Sequence, residues 1–182
     1  DLDSQGNATS GVGIEKNENE STAYQLLVEN SEPGASIKKT SIENLWIIPS
    51  NAHLAGAEMH LISQEKREFV LSGQLQKIES QYDYIFLDCP PSLGLISINA
   101  LTASSYIIIP LQCEYYALEG LGQLLNTYQL VKKNLSANLE LGGVILTMAD
   151  VRTNLTQQVI EEVRNYFKEK TFQNVIPRSV KL

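Results

Sequence analysis

The carboxylate of Asp88 lies where it could take part in metal or phosphate chemistry. It ends an uncharged apolar run, residues 84–87, and Cys89 and two prolines follow it. Such a run is typical of a strand buried on both faces. In open α/β sheets, ligands bind just outside the carboxyl ends of the strands, so Asp88 could hold a metal ion or a phosphate-bound water. The alternative is that Asp88 only caps the turn before a helix that begins near Leu93.

Asp1 and Asp3 are a second pair of candidate carboxylates. They lie two residues apart, and on an extended segment this spacing puts both side chains on one face. The segment has the character of a strand cut just before its end. Gly6, Gly11 and Gly13 follow among small polar residues and predict a mobile loop.

The histidines and cysteines do not indicate a metal centre. His53 and His60 have no partner ligands near them in the sequence, so a surface or capping role is favoured. Cys89 and Cys113 are too few for a disulfide framework and lack metal-ligand spacing. They predict a reducing compartment and two half-buried thiols.

Length and charge limit the class of protein. The 182 residues, 43% of them apolar, are enough for one domain with a sizeable core. The net charge of −7 argues against an overall basic nucleic-acid binder. Residues 151–182, however, hold six bases against three acids, which makes this stretch the candidate anion-facing surface. The uncharged stretch between the two cysteines is interrupted by prolines and polar residues, so it is neither a membrane span nor a signal peptide.

Strand-like and helix-like patterns alternate along the chain. The alternation predicts an α/β fold with a mostly parallel, doubly wound sheet, helices on both faces, and a single domain over residues 1–182. The predicted strands are residues 45–49, 84–87, 106–110 and 141–148, with a fifth beginning at 174–177. The predicted helices are a short one capped by Ser21 and running through Leu27, and residues 53–62, 65–81, 93–103, 117–133 and 155–167, with Val159, Val163 and Tyr166 facing inward on the last.

Several segments together resemble one protein family. They are DLDSQGNATSG (1–11), FLDCPPS (86–92), PLQCEYYALEG (110–120), TMADVRTNL (147–155) and IPR (176–178). In this order and spacing they resemble the ParA/Soj family of chromosome and plasmid partition ATPases, the deviant Walker class that also contains MinD. The resemblance covers essentially the whole chain and implies a P-loop NTPase-like fold.

The resemblance also implies cofactors and roles for the three aspartates. In the family, ATP and Mg²⁺ are held between two subunits. By position, Asp88 resembles the Walker B carboxylate that holds Mg²⁺, through water. Asp3 resembles the catalytic residue that orients the attacking water, and Asp1 a carboxylate that holds the Mg²⁺ waters. Phosphoryl transfer depends mostly on positioning and charge neutralisation, which suits carboxylates at strand ends.

Further positions are implied for nucleotide and DNA. Met148, Pro177 and Arg178 match segments that border the adenine in relatives, although such positions are as often simple packing. Arg152 and Lys181 match positions of DNA-contacting arginines, and lysine at 181 keeps the charge but loses the bidentate fork. The alternative is a solvated helix face with an arginine that caps local carbonyls. The remaining bases of the stretch are interpreted as surface charges because acids lie among them; these are Arg164, Lys168 and Lys170.

One part of the family pattern does not occur. The Gly-rich phosphate loop, G-x-G-K-[ST], is expected one helix and one strand before Asp1, and no such segment exists in the 182 residues. We therefore expect the chain to lack the first strand-helix unit of the sheet, to be truncated at both ends, and not to hydrolyse ATP by itself. A parallel sheet without this strand exposes unpaired edges, which predicts self-association.

The family implies an ATP-dependent homodimer in the cytoplasm at the nucleoid. It binds DNA nonspecifically and is stimulated by a ParB-type protein, with no membrane partner. One alternative is a non-catalytic DNA- or partner-binding module of the same fold. Another is a MinD-like positioning ATPase, which needs a basic amphipathic C-terminal helix. The two cysteines suggest a third alternative, in which they bind a cluster as in the related nitrogenase iron protein. The residues around them fit partition proteins instead.

Overall fold

The computed structural model describes residues 1–17, 20–114, 117–150 and 152–179, without the side chains of residues 117–119. The chain divides into two compact units, Asp1–Ala103 and Ser104–Leu182. The single domain over residues 1–182 stays a prediction. Within the described part, no helix is both long and apolar enough to cross a bilayer.

The first unit is built mainly from short helices, with a two-residue antiparallel ladder in which Lys38 lies opposite Ile47. Its α-helices and strands are α1 (Asn7–Gly11), α2 (Ala23–Val28), α3 (Pro33–Ser36), β1 (Lys38–Lys39), β2 (Trp46–Ile47), α4 (Ala57–Leu61), α5 (Val70–Leu75) and α6 (Leu95–Ala103). Turns of 3₁₀-helix cover Ala52–Gly56, Arg67–Phe69 and Glu79–Gln81. The α1 helix occupies the segment that the glycines predicted to be a mobile loop, so that prediction is wrong.

Leucine side chains from α2, α4 and α5 form the core of the first unit. Leu26, Leu61 and Leu71 are at most 1% exposed, and burying each such side chain contributes roughly 1.5–3 kcal/mol. Asn99 of α6 is fully buried among them and is satisfied by the chain. Its side chain accepts from the Leu71 amide at 3.1 Å and donates to two carbonyl oxygens, so the polar group costs little in the core.

The cap of α2 differs from the predicted one by one residue. Thr22, not Ser21, precedes the helix, and its Oγ1 accepts a hydrogen bond from the Tyr24 amide. The Gln25 side chain in turn accepts from the Thr22 amide at 2.9 Å, which completes a capping box. Ser21 instead pairs with the hydroxyl of Ser36 at 2.7 Å.

The predicted long helix over residues 65–81 is interrupted. Lys66 has a left-handed backbone with φ 53°, and α5 is preceded and followed by 3₁₀ turns. A residue with a left-handed backbone cannot continue a right-handed α-helix, so the helical part of the segment begins only after Lys66. The apolar residues of this segment at three- and four-residue spacing nevertheless share one buried face, because Leu71, Leu75 and Ile78 are all buried.

Residues 84–87 do not form the buried strand that their composition predicts. The segment has no strand assignment, and Tyr84 and Phe86 are 81% and 80% exposed. Their rings lie 6.4 Å apart in a tilted arrangement. A strand requires a neighbouring backbone for its ladder, and no ladder to this segment forms among the residues that the structure describes.

The second unit contains the parallel strand pair that the sequence predicts. Strands β3 (Tyr106–Gln112) and β4 (Glu140–Thr147) run parallel, with Ile109 opposite Val144. The long helix α7 (Ala117–Asn134) connects them and α8 (Asn154–Phe167) follows, so this unit has the predicted strand-helix-strand-helix order. Its core contains residues of both strands and of α8, including Leu111, Leu146, Val159, Val163 and Phe167.

Several details of the second unit differ from the prediction. Tyr166 is 73% exposed, whereas its neighbour Phe167, four residues after Val163, takes the inward position. The fifth strand over residues 174–177 is reduced to a parallel bridge between Pro177 and Ala149. The two thiols are not half-buried, because Cys113 is buried and Cys89, in the first unit, is exposed. Burial raises the pKa of Cys113 above its usual value.

Candidate functional site

Two backbone hydrogen bonds bring the three predicted aspartates into one region of the first unit. The Asp1 nitrogen donates to the Ile48 carbonyl oxygen at 3.1 Å, and the Leu2 amide donates to the Asp88 carbonyl oxygen at 2.7 Å. The segment that begins the chain therefore lies between the segment that ends in Ile48 and the one that ends in Asp88. Asp88 accepts one of these bonds through its backbone, and Asp1 and Asp3 flank the Leu2 amide that donates it, although neither segment is a regular strand.

Three donors of the chain already engage the carboxylate of Asp1. Its Oδ2 accepts from the Thr9 amide at 2.8 Å and from the Thr9 hydroxyl at 2.7 Å, and its Oδ1 accepts from the Asp3 amide at 3.1 Å. An ionised carboxylate offers about four acceptor sites, so roughly one is left for a water or a ligand. Asp1 is thus primarily engaged in holding its own loop.

Asp3 lies in a tight turn that its neighbours define. Its Oδ1 accepts from the Gln5 amide at 3.0 Å, and its carbonyl oxygen accepts from the Gly6 amide at 2.9 Å. Among the residues that the structure describes, its Oδ2 has no hydrogen-bond partner. Since Asp3 is partly exposed, this oxygen is available to solvent or to a bound group.

These side chains are better suited to hold a magnesium ion through its bound waters than to coordinate it directly. Within the described ranges, no group of three His, Cys, Asp or Glu residues could hold a metal ion directly. Mg²⁺ dehydrates reluctantly and is usually bound by one or two carboxylates and several waters. The exposed Asp88 and the free oxygen of Asp3 provide this kind of contact. His60 does not contribute, because its Nδ1 contacts the Gly56 carbonyl oxygen one turn back, at 3.1 Å.

In the second unit, the three predicted nucleotide-contacting residues come together. The Ala149 amide donates to the Ile176 carbonyl oxygen at 3.2 Å, and the Arg178 amide donates to the Ala149 carbonyl oxygen at 3.0 Å. These bonds align the segment of Pro177 and Arg178 with the end of β4. Met148, at this junction, has a left-handed backbone with φ 53°, a strained conformation of the kind that is frequent at functional sites.

Arg152 is exposed, but its guanidinium has a partner. Its Nε and Nη2 donate to the two carboxylate oxygens of Asp150 at 2.8 and 2.6 Å, and its amide donates to the same carboxylate at 3.2 Å. The Arg152 bonds, with a smaller contribution from the charge of Arg178, lower the pKa of Asp150 to about 2. The Arg152 side chain remains 85% exposed. The other predicted DNA-contacting residue, Lys181, lies outside the described residues.

Sequence reasoning missed two residues that support the aspartates. Thr9 is fully buried, and its hydroxyl accepts a hydrogen bond from the Ser50 amide at 2.9 Å. Ser50 is 41 residues further along the chain, and no local pattern links such distant positions. A buried threonine that is hydrogen-bonded to Asp1 is visible only once the chain has folded.

Relatives with known roles match the chain throughout. Residues 1–141 match the family described as AAA domain. Over all 182 residues the chain is 56% identical to the sporulation initiation inhibitor protein Soj of Bacillus subtilis, and it covers 72% of that protein. It is 47% identical over its whole length to the chromosome partitioning protein ParA of Myxococcus xanthus, of which it covers 64%.

A solved structure shows the same fold. Cobyrinic acid a,c-diamide synthase from Mycobacterium smegmatis, with bound ADP and magnesium, aligns with a TM-score of 0.90 and 35% sequence identity. The alignment covers 98% of this chain and 72% of that one. The predicted α/β fold of the P-loop NTPase type is therefore confirmed. With the sequence matches, it follows that the chain belongs to the ParA/Soj family of partition ATPases.

Proposed function

We propose that the chain is the part of a chromosome or plasmid partition ATPase that supplies the metal-holding and water-orienting carboxylates. The observation that supports this most is the 56% identity to Soj across the whole chain. The grouping of Asp1, Asp3 and Asp88 in the first unit agrees with it. Bound Mg²⁺ would neutralise charge on the phosphates of ATP.

Each carboxylate has its own part in this proposal. Asp88 is exposed and would hold a water of the Mg²⁺ shell. The free oxygen of Asp3 would accept a hydrogen bond from the attacking water and so orient it. Asp1 would hold the Asp3 loop and has about one acceptor site left for a metal-bound water. On sequence grounds, Met148, Pro177 and Arg178 would contact the nucleotide base.

Calorimetry with Mg-ATP tests the nucleotide site. Binding is measured for this chain and for an extended protein, in which the phosphate-loop segment of the family precedes Asp1. We expect only the extended protein to bind, because this sequence holds no phosphate loop. Equal binding by the present chain would refute this location of the phosphate contacts. If neither protein binds, the non-catalytic module becomes the better hypothesis.

We further propose that Arg152 contacts DNA phosphates without reading sequence. Its side chain is largely exposed, and it precedes α8 in the candidate anion-facing stretch. A phosphate would replace the Asp150 carboxylate on the same two guanidinium nitrogens, since both anions suit the arginine fork. Lys181 belongs to this proposal on sequence grounds. This exposed arginine also favours the second candidate function, a non-catalytic DNA-binding module.

The DNA contact is tested with Arg152→Ala in the nucleotide-bound extended protein. We expect weaker binding to all DNA sequences and a log-log salt slope reduced by about 0.9 for each lost phosphate contact. Arg164→Ala is the matched control, because Arg164 is also an exposed arginine of this region but donates to the Gln173 carbonyl oxygen. Unchanged affinity and salt slope in the Arg152 variant would exclude the DNA role.

ATP-dependent pairing of two subunits and stimulation by a ParB-type partner complete the proposal. Both are implied by the family resemblance. Sedimentation velocity of the extended protein with and without Mg-ATP tests the pairing, and the hydrolysis rate with an added ParB-type protein tests the stimulation. A sedimentation coefficient that does not respond to ATP would count against pairing through nucleotide.

A further inference from the structure

We propose that Thr9 is a positioning residue that sets the geometry of Asp3 through Asp1, an inference that rests on the proposed function of Asp3. Thr9 lies in α1 and is 0% exposed. Its hydroxyl is used in both directions, as donor to Asp1 Oδ2 at 2.7 Å and as acceptor from the Ser50 amide at 2.9 Å. This single group therefore connects the start of the chain to residue 50.

The effect of Thr9 reaches Asp3 through the carboxylate of Asp1. With Oδ2 fixed by the amide and hydroxyl of Thr9, Oδ1 is directed at the Asp3 amide, 3.1 Å away. The bonds to the Gln5 and Gly6 amides then close the turn on the other side of Asp3. The orientation of the free Asp3 oxygen thus depends on Asp1, and the orientation of Asp1 depends on Thr9.

Burial makes this dependence strong. A hydrogen bond to an ionised group is worth about twice a neutral one, and a buried donor that loses its acceptor keeps the full cost of its desolvation. Without the Thr9 hydroxyl, Asp1 Oδ2 loses one of two donors and the buried Ser50 amide loses its acceptor. The first loss acts on the carboxylate that holds the Asp3 amide, and the second weakens the link between α1 and residue 50.

Two substitutions separate the hydroxyl from the shape of the side chain. Thr9→Val keeps the shape but removes the hydroxyl, whereas Thr9→Ser keeps the hydroxyl and removes only a methyl group. In steady-state hydrolysis by the extended protein, we expect Thr9→Val to lower kcat by about tenfold, because displacement of a catalytic group by 1 Å can cost up to a hundredfold. We expect the KM for ATP to stay within about twofold, since the fully buried Thr9 offers no surface to a nucleotide, and Thr9→Ser to restore kcat.

A second measurement follows the network itself in the present chain. Thr9→Val should accelerate hydrogen exchange of the Asp3 and Ser50 amides, and Thr9→Ser should not. Wild-type kcat and amide protection in Thr9→Val would overturn the proposal. Equal loss of kcat in both variants would also overturn it, because the methyl group would then be what matters.

The Asp3→Ala variant distinguishes failure of the positioning role of Thr9 from failure of the proposed function of Asp3. If Asp3→Ala hydrolyses ATP at the wild-type rate, the proposed role of Asp3 is wrong, and with it the purpose of the network. If Asp3→Ala is inactive while Thr9→Val is fully active, the role of Asp3 stands and only the positioning role of Thr9 is wrong.

Discussion

At the scale of single residues, the conformation of the loop after Asp3 requires a glycine at position 6. Its backbone is left-handed, with φ 59°, and a Cβ placed on it would lie 2.8 Å from the Ser50 carbonyl oxygen. Real Cβ atoms essentially never come this close to backbone. The same loop thus meets Ser50 twice, through the bare backbone of Gly6 and through the hydroxyl of Thr9.

Gly6→Ala should destabilise the first unit by at least about 1–2 kcal/mol, the usual cost of a left-handed backbone for a residue with a Cβ. Gly11→Ala is the control, because that glycine is helical and has open space around its Cβ position. It should change stability by less than about 1 kcal/mol, in the stabilising direction. Urea unfolding followed by the fluorescence of Trp46, the only tryptophan, measures both. Equal effects would contradict the conformational argument.

Asp150 gives a prediction about pH. Its pKa is lowered to about 2, first by the hydrogen bonds from Arg152. Because the folded pKa lies below the unfolded one, the pair stabilises the folded chain above the usual Asp pKa, and this contribution is lost as the pH falls towards 2. In an NMR titration, Arg152→Ala should return the pKa of Asp150 towards its usual value, and Arg178→Ala should raise it less. A midpoint that does not move in Arg152→Ala would show that the pair does not form.

At the scale of elements, periodic patterns in the sequence predicted structure well where the chain supplies the partners. Strands β3 and β4 and helices α6, α7 and α8 lie close to their predicted bounds, since each is long and packs within its own part of the chain. Residues 84–87 have an equally clear strand composition, but the described part of the chain contains no ladder that they join. The composition of a segment shows how much apolar surface it can bury. Whether the segment forms a strand also depends on a neighbouring backbone with which it can pair.

For the candidate site, the sequence predicted the aspartates but not the hydrogen bonds that hold them. The spacing of Asp1 and Asp3 and the position of Asp88 at the end of an apolar run were visible in the sequence, and the structure brings them to one region. Their supporting bonds were not visible, because Thr9 and Ser50 are linked only by the fold. The Asp150–Arg152 pair was missed although it is local, since many charges two residues apart in loops do not pair.

The capping box of α2 gives a prediction for a single element. Thr22→Ala removes the side-chain acceptor of the Tyr24 amide and should cost about 0.5–2 kcal/mol of stability. Thr22→Ser keeps the hydroxyl and should retain most of it. Ser21→Ala tests the cap that the sequence predicted, and it should cost less than Thr22→Ala because Ser21 does not cap the helix. Urea unfolding midpoints measured by Trp46 fluorescence compare the three, and a larger loss for Ser21→Ala would contradict the observed cap.

At the scale of the whole molecule, each unit exposes large apolar side chains on segments outside its helices. In the first unit these are Tyr84 and Phe86, next to a cavity of about 160 Å³ lined mainly by apolar side chains. In the second unit the outward positions of β3, Tyr106 and Ile108, are 64% and 48% exposed. Exposed apolar side chains on a segment without a ladder, or on a strand with a free edge, favour pairing with other chains.

We therefore expect the present chain to self-associate with increasing concentration. Replacing Tyr84 and Phe86 together by lysine should weaken this association, because charge on an unpaired edge discourages pairing. Met59→Lys is the control: Met59 is 78% exposed but lies in α4, where the backbone is already bonded. It should associate as the wild type does. Sedimentation velocity over a concentration series measures all three, and a wild-type chain that stays monomeric at high concentration and unfolds cooperatively would refute the expectation.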